Sequence, residues 1–470
     1  MGGGLLQLVA HGAQDAYLTG NPQITFWKGM FKRHTNFAME PFRINLTGMP
    51  SWGQKQSATL GRHADLLYST YLQVTLPYYQ KGSTTDAAIW NNDQGRLGYN
   101  LIKYIDLEIG GQLIDRLYSE YLYLWDTLHS DYNTSYKLQQ MVCAGLPSGA
   151  TAVTNPKGCT KVTGRPGVST TLFVPLPFSY TRNPGAALPL IALQYHEVKI
   201  NIEWNVPQLV AGVFADVAKL PNPNTAAIYV DYIYLDVDER RRMAQESHEY
   251  LIEQVQFNED KGLGSASQRI DLTFNHPVKE LIWVVQPERF TNCKIADKSQ
   301  TAGVPRPTTG RLSPFTYTYV NQITGGAGGD GTANMTQPVF SQHIQINGQD
   351  RLDHRSGDYY NKVQPYQHHT GTMKPLGFDD QNTPVGLSSP ATAKSQQAIY
   401  NYSFALKPEE NQPSGTCNFS RIDTATIVLT MSGDYIVDES TDNSWNVRVY
   451  AINYNILRIM SGMAGLAYSN

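Results

Sequence analysis

Cysteine, charge and long apolar runs are all scarce in this chain, and each shortage removes a class of protein. Cys143, Cys159, Cys293 and Cys417 are the only cysteines in 470 residues, and none has CxxC spacing. That excludes a disulfide framework and a cysteine zinc site, and fits free thiols in a reducing compartment. Charged residues make up only 16%, with 37 basic against 40 acidic and a net charge of −3. A protein that coats nucleic acid needs a basic surplus to neutralise phosphates, so no direct nucleic-acid contact is expected. No apolar stretch approaches the roughly 20 residues of a membrane helix. Residues 1–9 lack the basic start of a signal peptide, and Leu6 stands where N-myristoylation favours Ser or Thr. The expectation is a soluble protein made in the cytoplasm.

Catalytic signatures are missing too: no phosphate loop ending in Gly-Lys, no nucleophile elbow, no zincin helix. The chain is therefore read as a non-enzyme, with no catalytic residue, metal or cofactor assigned. What it has in quantity is Gly (39), Pro (26) and Tyr (29), alongside 41% hydrophobic residues. That mix suits short strands joined by many turns, and 470 residues suit two or three domains.

The most informative feature is an internal repeat. Glu40-Pro41-Phe42-Arg43-Ile44-Asn45 matches Glu253-Gln254-Val255-Gln256-Phe257-Asn258 at an offset of 213, which also pairs His63 with His276. Leu107-Glu108-Ile109-Gly110-Gly111-Gln112 matches Ile344-Gln345-Ile346-Asn347-Gly348-Gln349 at 237. Phe173, Pro177 and Ile191 match Phe404, Pro408 and Ile422 at 231; Val230, Arg241 and Met243 match Val447, Arg458 and Met460 at 217. Weak matches in one order, with offsets drifting by loop lengths, indicate a tandem duplication of a domain of about 210 residues.

The repeated segments alternate as half-buried strands do: Ile105, Leu107 and Ile109; Val198, Ile200, Ile202 and Trp204; Ile270, Leu272 and Phe274; Ile427, Leu429 and Met431. Gly110-Gly111 and Asn347-Gly348 suit two-residue hairpin turns, which need positive φ twice. Leu117, Tyr121, Leu124 and Leu128 recur at helical spacing and predict a helix over 117–128. Polar, Gly-rich stretches at 78–99, 144–170, 294–336 and 370–396 predict long loops, two in each half, as in a jelly roll.

Three groups invite a chemical reading. Gly325 to Gly331 matches one copy of a calcium-binding nonapeptide, which works only in stacked copies, so a loop tip is the simpler reading. His368 and His369, with His354 and Asp358 upstream, suggest a metal cluster. Adjacent residues of an extended chain face opposite ways, however, so a solvated pair is favoured over shared ligation. Asp236, Asp238 and Glu239 could be paired carboxylates for acid–base work, but they adjoin Arg240, Arg241 and Arg242 and read as an ion-pair cluster. Sequons occur at Asn45, Asn133, Asn334, Asn401 and Asn418. Asn334 and Asn133 are the candidate glycosylation sites, whereas Asn45 and Asn418 look structural.

Several long segments are similar to major capsid proteins of nucleocytoplasmic large DNA viruses of the chlorella-virus type and their relatives. They are Gly12-Ala13-Gln14-Asp15-Ala16-Tyr17-Leu18-Thr19-Gly20-Asn21-Pro22 and its continuation to Phe26, Thr35 to Glu40, Leu188 to Val198, His248 to Gln254, Asn347 to Arg351, Gln412 to Ile422, and Leu457 to Met463. The resemblance spans the chain and thins at 78–99, 144–170 and 294–336. It implies an all-β fold of two tandem eight-stranded antiparallel jelly-roll barrels, with long inserted loops and a few short helices. The expected divisions are an N-terminal arm (1–26), a first jelly roll (27–240), a linker (241–248), a second jelly roll (249–462) and a C-terminal tail (463–470).

The resemblance further implies a late, structural virion glycoprotein that homotrimerises into pseudo-hexagonal capsomers of an icosahedral shell. Its partners would be itself, neighbouring capsomers and, through 1–26, minor capsid proteins, with the internal membrane met only indirectly. The family's glycans sit outside the usual sequon, which weakens the sequon list. A minor capsid or vertex paralogue, or a carbohydrate-binding β-sandwich adhesin, is the alternative.

Overall fold

A computed structural model describes residues 2–27, 29–77, 90, 96–142, 170–211, 220–288, 291, 314–315, 317, 319–321, 334–336, 338–371, 398–431 and 444–468. The chain divides into two compact units, Met1–Phe37 and Ala38–Asn470. The first holds two short helices, α1 (Gly3–Val9) and α2 (Asp15–Thr19), neither with a buried residue.

In the second unit, nine strands come from the first half. These are β1 (Phe37–Asn45), β2 (Lys55–Leu60), β3 (Leu66–Leu76), β4 (Ile102–Ile109), β5 (Gln112–Tyr118), β6 (Thr170–Pro175), β7 (Leu188–Pro189), β8 (Val198–Trp204) and β9 (Thr225–Leu235). One sheet runs β1-β9-β3-β6, with β7 also on β3, and a second runs β2-β8-β4-β5. The second half repeats this with β10 (His248–Leu263), β11 (Ser267–Asp271), β12 (Pro277–Pro287), β13 (Tyr319–Asn321), β14 (Asn334–Thr336), β15 (Val339–Ile346), β16 (Gln349–Asp350), β17 (Arg355–Ser356), β18 (Ile399–Ser403), β19 (Cys417–Asn418), β20 (Ala425–Met431), β21 (Trp445–Met460) and β22 (Met463–Leu466). Its main sheets run β10-β21-β12-β18 and β11-β20-β15-β16. Slot for slot the orders agree: two antiparallel jelly rolls, the same topology written twice.

Most sequence matches fall in equivalent slots. Glu40 and Glu253 lie on β1 and β10, and Leu107 and Ile344 on β4 and β15. Gly110 and Gly111 adopt φ of 58° and 86°, and Asn347 and Gly348 of 50° and 75°, so both hairpins turn as their residues require. A third such turn, Ser461-Gly462, joins β21 to β22. The pairing of Arg241 and Met243 with Arg458 and Met460 fails. The first two lie in a helix, whereas the latter continue β21, a strand of 16 residues against the 11 of β9.

Helices fill the connections: α3 (Leu97–Asn100), α4 (Ser119–His129), α5 (Tyr132–Val142), α6 (Ser179–Arg182), α7 (Pro207–Val210), α8 (Val237–Gln245) and α9 (Gln364–His368). The helix expected at 117–128 is α4, starting two residues later because Leu117 and Tyr118 still pair with β4. One apolar cluster includes Ile105, Ile202 and Trp204 of the first barrel and Ile270, Trp283 and Leu429 of the second. The two barrels therefore share a continuous core. No helix among the described residues is long and apolar enough to cross a membrane.

Candidate functional site

A polar seam joins the halves where α4 of the first barrel meets the second. The last carbonyls of a helix have no intrahelical donor. At the end of α4, Gly371 N–H donates to Leu128 O at 2.7 Å, and Thr370 Oγ1 lies 3.1 Å from His129 O. A Cβ on Gly371 would stand 2.2 Å from Leu128 O, so only glycine permits this approach.

Beneath the helix end lies a cleft of about 460 Å³, lined by His129, Arg182, Glu253, Lys279 and Glu409 among others. Arg182, at the end of α6, reaches Glu253 on β10 at 2.5 Å. Lys279 on β12 is buried, 2.7 Å from Glu253 Oε1, and donates to Pro408 O at 2.6 Å. Its neighbour Glu280 is buried as well: β12 lies in the middle of its sheet and is covered on both faces. One carboxylate, Glu253, thus neutralises two cations from different halves of the chain.

His369, directly after α9, lies between two more carboxylates. Its Nδ1 is 3.2 Å from Glu409 Oε1 and its Nε2 is 3.3 Å from Glu280 Oε2. Burial opposes a charge on His369, but Glu280 and Glu409 outweigh it and hold its pKa up to about 9. Burial would raise Glu280, yet His369 draws it down to about 2. Glu409 is lowered in the same way, by His369 and Thr370 against burial. His129 is the opposite case. Burial pushes it down to about 4, with Glu280 pulling the other way, and its Nδ1 lies 3.1 Å from Trp125 O.

The histidine reading is therefore corrected for one of the pair. His368 is half-buried, with its Nδ1 3.1 Å from Leu406 O. His369 turns inward because the two point opposite ways, and its true partners, His129, Glu280 and Glu409, are remote in sequence. The His354 ring lies 3.9 Å from that of His343, tilted by 57°, and Asp358 pairs with Lys362 at 2.8 Å, so neither joins it. The acids near 236–239 cap α8: Asp236 accepts from Val237 N–H, and Asp238 and Glu239 fill the first turn. Arg240 and Arg242 pair with Asp65 and Glu246, not with those acids.

Asn133 is exposed on α5, and Asn334 lies on β14. Asn45 is exposed at the end of β1; Asn418 is exposed and accepts from Ser420 N–H; Asn401 is fully buried. Cys417 is a free thiol, half-buried. Cys143, Cys159, Cys293 and Gly325 to Gly331 lie outside the described residues, as do most of 78–99, 144–170, 294–336 and 370–396.

Nothing in the seam combines a nucleophile with a base and an open substrate path; its chemistry is that of a joint. Comparison with known proteins decides what is being joined. Residues 25–236 match the family model described as major capsid protein N-terminus. Residues 239–380 and 381–465 match that of the large eukaryotic DNA virus major capsid protein. The major capsid protein of Pyramimonas orientalis virus is 45% identical over 474 residues, and that of Phaeocystis pouchetii virus 41% over 553, each covering all of both chains.

The chain belongs to the major capsid protein family of large eukaryotic DNA viruses.

The fold of that family is seen in the crystal structure of PBCV-1 VP54, which superposes with a TM-score of 0.68 at 34% identity, covering 95% of this chain and all of that one. The Faustovirus major capsid protein, only 12% identical, shares the fold at a TM-score of 0.65. The all-β double jelly roll that the resemblance implied is the family's architecture, and this capsid protein is a structural component of the virion.

Proposed function

We propose that three copies of this major capsid protein associate into a pseudo-hexagonal capsomer, and that these capsomers tile an icosahedral shell. The observation that carries the reading is the slot-for-slot duplication of the barrel within one unit. Three such chains place six similar barrels around one axis, which lets a threefold object fill a hexagonal lattice site. The resemblance of the whole chain to PBCV-1 VP54 supports it. Light scattering on purified protein should give a compact particle of about three times the 52.4 kDa chain. A monomer persisting at micromolar concentration would refute the reading.

Several finer assignments go with it. The working divisions are the arm at 1–26, barrels at 27–240 and 249–462, the linker at 241–248 and the tail at 463–470. The arm carries exposed Leu5, Leu8, Tyr17, Phe26 and Trp27 within or beside it, apolar surface suited to neighbouring capsomers or minor capsid proteins. Asn133 and Asn334 remain the proposed glycan carriers, to be checked by glycopeptide mass spectrometry on virions. Synthesis is placed in the host cytoplasm at assembly sites, late in infection. The protein is expected to work without a catalytic residue, to make no direct nucleic-acid contact, and to meet any internal membrane only through other proteins.

A further inference from the structure

We propose that His129, His369 and Glu409 form a binding site for a zinc-type divalent cation that pins the two barrels together. One donor atom from each lies within 4.8 Å of the other two. Two imidazoles and a carboxylate are a common zinc set, in which neighbouring donors stand about 3.3 Å apart for bonds of about 2 Å. His369 Nδ1 and Glu409 Oε1, at 3.2 Å, already span one such edge. Closing the site requires His129, which terminates α4, to move inward from within 4.8 Å of the other two donors.

The surroundings orient each ligand as metal sites require. The contact between His129 Nδ1 and Trp125 O leaves Nε2 as that ring's free donor. Glu280 faces the far nitrogen of His369, the carboxylate–histidine arrangement that fixes a ligating ring. Glu280 is fully buried, and neither of its oxygens has a hydrogen-bond partner; its contact with His369 is a 3.3 Å charge contact without hydrogen-bond geometry. Glu409 is held in turn by Thr370, whose N–H donates to Oε1 at 3.0 Å and whose Oγ1 lies 2.7 Å from Oε2. The nearby cations Arg182 and Lys279 are engaged by Glu253, so they do not block the ion's position. His129 and Glu409 both line the cleft, which leaves a fourth position for water and makes the ion exchangeable.

The ligands come from both halves, so a bound ion would be a removable cross-link inside the subunit. The test uses the full-length protein, stripped with a chelator and passed through a desalting column. After addition of Zn²⁺, one ion per chain should co-elute, and Co²⁺ should give the intense visible absorption of a four-coordinate site. Zn²⁺ should raise the melting temperature while Mg²⁺ leaves it unchanged. His129→Gln and His369→Gln should each reduce retained Zn²⁺ to the stripped level. The Co²⁺ spectrum needs no variant, so it decides the matter even if a substitution prevents folding. A pale, hexa-aqua-like Co²⁺ spectrum, no retained Zn²⁺, or retention unchanged in a folded variant would overturn the proposal.

Discussion

Arg448 Nε on β21 stands 2.8 Å from Glu120 Oε2 at the start of α4, a charge pair joining the second barrel to the first. Tyr450 Oη donates to the same oxygen at 2.7 Å from 330 positions away, and Tyr317 Oη donates to Oε1 at 2.9 Å. Both ionic side chains are about nine-tenths buried. Removing one member of such a pair strands the other charge in a poor solvent.

Glu120→Ala is therefore expected to lower stability by about 3–5 kcal/mol. The pair Lys103–Glu203, whose lysine side chain is 55% exposed, is a contrast, although its separation is shorter at 2.6 Å. Glu203→Gln should change stability by about 1 kcal/mol or less, because solvent screens that pair. Urea denaturation of both variants gives the comparison, and equal losses would show that burial does not set the scale.

Asp115 supplies a pH dependence away from the histidine cluster. It accepts from Val255 N–H at 3.0 Å and Arg116 N–H at 2.9 Å, yet burial dominates and pushes its pKa to about 6 from an ordinary 3.8. The folded protein thus binds this proton more tightly than the unfolded chain does. On this group's account stability falls as pH rises from about 4 to about 6 and stays lower above that. Asp115→Asn should gain about 1–3 kcal/mol over the parent at pH 7.5, with the difference closing near pH 4. Paired melting curves across that range measure it; a constant offset would contradict the assignment.

Two glycines should separate steric from conformational cost. Gly371→Ala places a Cβ against Leu128 O and should lose about 1–3 kcal/mol, with the damage at the end of α4. Gly111→Ala meets open space but must hold φ of 86°, so about 1 kcal/mol is expected. Melting temperatures of the two variants should differ in that order.

Proteolysis tests orientation. If 78–99, 144–170, 294–336 and 370–396 gather at the outer end of a capsomer, brief protease treatment of intact virions should cut within them first. Cuts confined to 1–26 would place the subunit the other way up.

Much of the fold was legible because strands and tight turns are local. Alternation at Val198–Trp204 and Gly-rich hairpins at 110–111 and 347–348 need only a few neighbours to specify them, and duplication then supplied the architecture. The seam was not legible. Glu280 sits in a continuously buried strand where nothing local marks a charge as paired. His129 ends a helix whose apolar spacing already explained it. His369 read as solvated because adjacent histidines on an extended chain cannot both face one ion, and nothing local showed which would turn inward. Glu120, Glu253 and Lys279 find partners in the other half or across long stretches of chain, separations that no short pattern encodes. The failed match of Arg241 and Met243 has the same origin: identity at two spaced positions cannot distinguish a helix from an extended strand.

The contact between Gly371 and Leu128 also sets an order in time. During synthesis the residues of α4 emerge well before residues 369–371, so until then the carbonyls of Leu128 and His129 lack their Gly371 and Thr370 partners. Until the second barrel arrives, the nascent chain carries an open seam instead of a finished wall. A surface competent to pack against other subunits would then exist only once nearly the whole chain had been read. Premature assembly of half-made subunits would be discouraged by the folding order itself.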